Sequence, residues 1–199
     1  MIAAVRLFAR PLRPSRLPIC SLHGNGPVTS RTYHIESLPG YTPVMGMLVG
    51  MLTHARDTTL AAVAGLSVAQ LDHLHDDASN SIGALLAHFA AVDRSYQRLT
   101  FDDRTPNAEE MREWQAALTL GDEGRRALRG QPLEYYVHEL AESRRITLEH
   151  LATRDDAWLA RPVPAAAAMN AHFAWFHVAE DEINHRGQIR WLRARLPRA

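Results

Sequence analysis

Four stretches of about 20 residues or more carry apolar side chains at helical spacing, and nothing in the chain alternates like a strand between hairpin turns. The first runs from about 43 to 65, with Val44, Leu48, Met51, Ala55, Ala62 and Leu66 near one stripe. Thr42 and Pro43 suit the N-cap and first helical position, and Gly65 suits the stop. The second covers about 81–101, striped by Leu85, Phe89, Val92, Tyr96 and Leu99, with Ser79 or Asn80 as its cap. The third covers about 132–153, with Leu133, Val137, Leu140, Leu148 and Leu151 on one face. The fourth covers about 165–196 and ends at Pro197. Between the second and third, Asn107 can cap a short helix reaching Leu118. The connections at 71–80 and 155–164 are rich in turn formers. Each long segment has one apolar stripe to bury, which predicts an all-α four-helix bundle with a short extra helix in the long connection. That connection permits a crossover, so simple up-down-up-down order is not required.

Composition narrows the chemistry. The 199 residues suffice for one domain with a substantial core. Basic and acidic residues balance at 22 each, so no global field draws the chain to nucleic acid. Every basic residue is Arg and none is Lys, which excludes a Schiff-base lysine, a lysine general base and a P-loop lysine. Cys20 is the single cysteine, which excludes an internal disulfide, a multi-cysteine zinc site and a CxxC pair. With 11 His and 22 acids, any catalysis or metal binding falls to imidazole and carboxylate.

The N-terminal segment differs from the rest. It carries Arg6, Arg10, Arg13, Arg16 and Arg31, has no acid before Glu36, and is broken by Pro11, Pro14, Pro18 and Pro27. Such composition suits an organelle transit peptide, and equally an unstructured tail or a misassigned start. Residues 1–40 are therefore expected to be unstructured or leader-like, and 41–199 to form the bundle. Arg6 interrupts the apolar core that a secretory signal needs, and no stretch approaches about 18 uninterrupted apolar residues. The expected setting is cytoplasmic, with no membrane and no nucleic acid as partner.

His88 stands three residues after Leu85 and four before Val92, on the buried stripe of the second segment. On the fourth, His177, Asp181 and His185 recur at i, i+4 and i+8 and share a face that continues into Ile189, Leu192 and Leu196. Asp and His on a core stripe are costly unless paired or ligated. Spacing alone leaves both outcomes open, a satisfied core histidine with a helix-surface ion pair or a metal site. Glu180 to Glu182 read by themselves as a solvated acidic turn, and helix phase turns Glu180, Glu182 and Asn184 away from the ligand face. His73 and His75 fall in a loop, and His54, His138 and His150 fall off the clearest stripes and read as surface residues.

The run Ser81-Ile82-Gly83-Ala84-Leu85-Leu86-Ala87-His88, followed about a hundred residues later by His185-Arg186-Gly187-Gln188-Ile189, resembles the DinB/YfiT-like superfamily of metal-dependent four-helix-bundle proteins. The resemblance spans roughly residues 44–197. It implies up-down-down-up helix order and one divalent ion near one end, with a ligand from the second helix and two ligands four residues apart on the fourth. Position by position, His88 matches the first ligand and His185 the last. The middle ligand is usually His and here is Asp181, as in members resembling mycothiol-dependent isomerases, which place a carboxylate there. This departure bears on the identity of the metal rather than on geometry. Two imidazoles and a carboxylate suit Zn²⁺, Fe²⁺, Ni²⁺ or Mn²⁺ and leave positions open for water or substrate. Arg186 and Gln188 are expected to anchor the helix end to a neighbour.

The resemblance implies a metal-dependent transferase or isomerase acting on a small molecule with a low-molecular-weight thiol, in a homodimer. The alternative is a non-catalytic, dimeric, stress-related helical binding protein whose metal is structural or absent.

Overall fold

The computed structural model describes residues 34–197. The expectations placed on residues 1–33, including Cys20, lie outside the described residues. Eight α-helices follow one another: α1 (Pro43–Val63), α2 (Val68–Leu71), α3 (Ile82–Thr100), α4 (Ala108–Thr119), α5 (Gly121–Ala127), α6 (Leu133–Ala152), α7 (Asp156–Ala160) and α8 (Ala171–Arg193). Among the described residues there is no strand, only an isolated bridge between Pro162 and Asn170. None of these helices is long and apolar enough to cross a membrane.

The helix ends obey local chemistry, with three differences from the sequence reading. Ser81 caps α3, its hydroxyl accepting from Ala84 N at 3.1 Å, in place of Ser79 or Asn80. Asn80 instead accepts from Gly121 N at the start of α5, and Ser79 accepts from His75 N and Asp76 N within its own loop. α8 begins at Ala171, capped by Asn170, rather than near Ala165. The alanine run is helix-prone, but Pro162 and Pro164 supply no N–H. Bonds from Val163 N to Met169 O and from Ala171 N to Arg161 O hold the segment as a loop with one 3₁₀ turn. The short helices α2, α5 and α7 occupy stretches that read as connections. α7 serves α1: the Asp156 carboxylate accepts from Thr42 Oγ1, Val44 N and Met45 N, capping α1 from a distant part of the chain.

Cross-helix pairs define the topology. Arg56 meets Glu182, Arg186 meets Thr58 and Arg193 meets the Ala62 carbonyl, so α1 and α8 run parallel. Gly83 meets Tyr136 and Gln97 meets Thr147, so α3 and α6 run parallel. His88 meets His185 and Phe101 meets Trp175, so α3 and α8 run antiparallel. The four long helices therefore have up-down-down-up order. The 30-odd residues between α3 and α6 carry the chain back along the bundle, and α4 and α5 occupy them. At Gly83 a Cβ would lie 2.7 Å from the Tyr136 hydroxyl, so glycine permits close approach of α3 and α6 there.

Two apolar clusters fill the bundle. One gathers Leu85, Leu86, Phe89, Tyr136, Leu140, Ile189 and Leu192 toward the His88 end. The other gathers Met45, Leu48, Leu52, Leu151, Leu159 and Trp175 toward the opposite end, with Leu38 and Tyr41 packed on it.

A buried ion network crosses the bundle and joins all four long helices. Arg56 of α1 donates through Nε to Glu182 Oε1 at 2.9 Å and through Nη2 to Asp93 Oδ2 at 3.3 Å. Arg144 of α6 reaches Asp93 at 3.2 Å and Glu182 at 3.1 Å. The Ser143 hydroxyl adds a bond to Asp93, and the guanidinium groups spend further N–H donors on the carbonyls of Leu140 and Leu52. Two cations balance two anions, with Asp93 fully buried and Glu182 only 1% exposed. Burial alone would lower the Arg56 pKa, but the charges of Glu182 and Asp93 reverse this and raise it. Glu182 thus corrects the reading of residues 180–182 as a solvated turn: Glu180 is exposed and Glu182 is core.

Removing one member leaves its partners charged and unpaired in the interior. Arg56→Met is expected to cost about 3–5 kcal/mol in urea unfolding, the range for breaking a buried ion pair. Replacing all four residues with apolar ones of similar volume is expected to cost much less.

Candidate metal centre

His88, Asp181 and His185 come together although nearly a hundred residues separate the first from the others. One ligand-type atom from each lies within 4.8 Å of the others. The antiparallel contact of α3 with α8 brings them together, and the one-turn spacing of Asp181 and His185 aims both at the same point. His88 Nε2 lies 3.2 Å from Asp181 Oδ2, and His185 Nε2 lies 3.4 Å from Asp181 Oδ1. The two imidazole centroids are 4.9 Å apart.

The tautomer of His88 is set from behind. Its Nδ1 is 2.8 Å from the carbonyl oxygen of Ala117, near the end of α4. A carbonyl only accepts, so Nδ1 carries the proton and, in the neutral ring, Nε2 presents its lone pair to Asp181. His88 Nε2 and Asp181 Oδ2 are both buried, and neither has a hydrogen-bond partner among the described residues. A positive centre between these two atoms, a proton on the ring or a metal ion, would satisfy both. Four ligands around an ion at bonds of 2.0–2.2 Å stand about 3.4 Å from one another. The contacts of 3.2 and 3.4 Å are of that size but run to different oxygens of Asp181, and the three ligand-type atoms as a set lie within 4.8 Å of one another.

Burial pushes the Asp181 carboxyl up, but the neighbouring imidazoles of His185 and His88 outweigh it and hold the group below the usual carboxylate range. The bond to Asp181 is the main cause of a raised His185 pKa.

Other residues singled out in the sequence lie elsewhere. His177 shares the face but not the cluster: it pairs with Glu180 at 3.3 Å, lies parallel to the Phe173 ring and is partly exposed. His75 sits in its loop edge-on to Trp191, and His73 is half-buried. His54 and His138 are exposed, as expected. His150 is not a free surface residue, because it stacks on Phe101 at 4.6 Å with Arg154 over the same ring. Arg186 anchors α8 to α1 through Thr58. Gln188 makes no such anchor and instead lies beside His185.

Sequence reasoning missed the Ala117 carbonyl, since a backbone acceptor leaves no mark in residue type. It also missed Arg56, Asp93 and Arg144. Here a signal existed: Arg56, Asp93, Arg144 and Glu182 each stand four residues after a buried apolar residue, namely Leu52, Phe89, Leu140 and Val178. A charge continuing a core stripe marks a buried pair or network.

The sequence model of mycothiol-S-transferases matches residues 47–197, three-quarters of the chain. The chain belongs to the mycothiol-S-transferase family. That family is DinB/YfiT-like, in accord with the paired motifs around His88 and His185. A conserved protein of Enterococcus faecalis, known from its crystal structure, shares the fold with a TM-score of 0.58 and 18% identity, over 75% of this chain and 95% of its own. No curated protein sequence matches the chain. The family is metal-dependent, and this member carries a cluster of His88, Asp181 and His185 that could hold a metal ion.

Metal dependence can be read by thermal shift. Zn²⁺ is expected to raise the melting temperature of the parent protein and not that of His88→Ala, since an ion bound only by the native state stabilises by mass action. Asp181→Ala is expected to weaken zinc affinity sharply and His177→Ala only slightly. Equal shifts in the parent and His88→Ala proteins would make His88 a plain core histidine.

Proposed function

We propose that His88, Asp181 and His185 bind one divalent ion and that the protein is a metal-dependent thiol transferase or isomerase using a low-molecular-weight thiol, of which mycothiol is the one the family name indicates. The observation that carries this reading is the buried pair of His88 Nε2 and Asp181 Oδ2, left without a hydrogen-bond partner inside the cluster that they form with His185. An ion held there acts as a Lewis acid that lowers the pKa of an incoming thiol and so makes it a nucleophile at neutral pH.

The chain's own residues provide the rest. Ala117 keeps the His88 ring in one tautomer and orientation. Asp181 offers one oxygen toward each imidazole and neutralises part of the ion's charge. Three protein ligands leave the remaining coordination positions for substrate, the pattern of a catalytic rather than a structural zinc site. The core behind Asp181 excludes water, because Glu182 and its arginine partners fill the centre of the bundle. The reading includes a homodimer in the cytoplasm. Phe173, Phe176, Ile183 and Trp191, apolar and exposed on α8, give a second copy a face to cover.

The test is transfer of mycothiol to a small electrophile by protein loaded in turn with Zn²⁺, Ni²⁺, Fe²⁺ and Mn²⁺. Activity is expected with at least one ion, and Asp181→Ala is expected to lower kcat/KM by at least about a hundredfold, as for loss of a group acting on developing charge. Stoichiometric metal uptake without turnover of any thiol would favour the non-catalytic binding protein.

A further inference from the structure

Beyond the three ligand residues, α3 and α8 continue side by side for two more turns, and a second pair of side chains meets there. Tyr96 stands eight residues after His88, and His177 eight before His185. Because the helices are antiparallel, the two lie opposite each other, with ring centroids 5.9 Å apart. Asp181 lies one turn from each member of the α8 pair, between His177 and His185. Tyr96 is half-buried, its ring packed on fully buried Trp175 at 6.5 Å, so the phenol is held in place. Its hydroxyl has no hydrogen-bond partner among the described residues, although the phenol senses the charge of Asp181. Phe173 adds a third ring, parallel to His177 at 6.0 Å.

We infer that Tyr96 is a substrate-orienting residue: its hydroxyl donates a hydrogen bond to an oxygen of the thiol held at the Asp181 cluster, while His177 forms the adjoining wall. This rests on the function proposed above. Tyr96 and the cluster share the α3–α8 seam, so the inference takes a thiol with an acceptor a few bonds from its sulfur, as in a cysteinyl amide; a simple alkanethiol carries none. Burial first, and then the charge of Asp181, raise the Tyr96 pKa, so the phenol remains a donor at neutral pH.

The test is calorimetric titration of zinc-loaded protein with N-acetylcysteinamide and with propanethiol, together with zinc affinity by chelator competition. Tyr96→Phe keeps the ring against Trp175 and removes only the hydroxyl. It is expected to weaken N-acetylcysteinamide binding roughly three- to tenfold, the worth of one neutral hydrogen bond. Propanethiol and zinc affinities are expected to match the parent. Unchanged binding of both thiols would overturn the inference, and so would loss of zinc itself, which would place Tyr96 in the ion's own site. The two levels separate in the parent protein. A parent that takes up no zinc, or binds zinc and neither thiol, refutes the proposed function and this inference with it. A parent that binds both, with Tyr96→Phe indifferent, refutes this inference alone.

Discussion

Arg56, Asp93, Arg144 and Glu182 meet in the middle of the bundle, one from each long helix, and the rest of the structure is arranged around that meeting. Apolar stripes are tolerant of sliding, since one leucine row packs against another at several registers. A four-member charge network is not. Each guanidinium must satisfy two carboxylates and a carbonyl, and a helix displaced by one turn would leave charges buried without partners, at a cost of several kcal/mol per ion. The network therefore acts as a register device whose value lies in specificity more than in stability. It also contributes no net charge, which a core can accept.

That register reaches the candidate metal centre through one peptide bond. Asp181 and Glu182 are neighbours, about 100° apart around α8. Glu182 faces α1 and α6, and Asp181 faces α3. The position of Asp181 against His88 is thus held by the same contact that holds Glu182 among the arginines. The second support comes from outside the four-helix core, where α4 crosses behind α3 and presents the Ala117 carbonyl to His88. The three side chains are thus held in place from two sides by the surrounding structure. Asp156 of α7 plays a comparable part at the far end by capping α1, so the connections as well as the core set the positions of the long helices.

Much of this was legible in the chain. The stripes specified the first three long helices to within about two residues and overran the fourth at its start, because each must bury one face. The i, i+4 pair on α8 brought Asp181 and His185 together by helix geometry alone. What spacing could not show was how the His88 ring is held, since that depends on the Ala117 carbonyl behind it. Composition misread Glu182, because three acids in a row suggest a solvated turn, and only its position four residues after Val178 on the core stripe indicated burial. The alanine run at 165–168 reads as helix from propensity, and two prolines with two long-range backbone bonds overrule it.

The number of long helices and the residue types able to do chemistry were determined by the sequence alone, since both follow from local periodicity and composition. Tertiary structure decided which faces meet. It ran α3 against α8 in opposite directions, setting His88 opposite His185 and Tyr96 opposite His177. It turned Nε2 of His88 toward the Asp181 carboxylate, and it buried four charged side chains among one another. These outcomes depend on distances between residues far apart in the chain, and no local pattern carries that information.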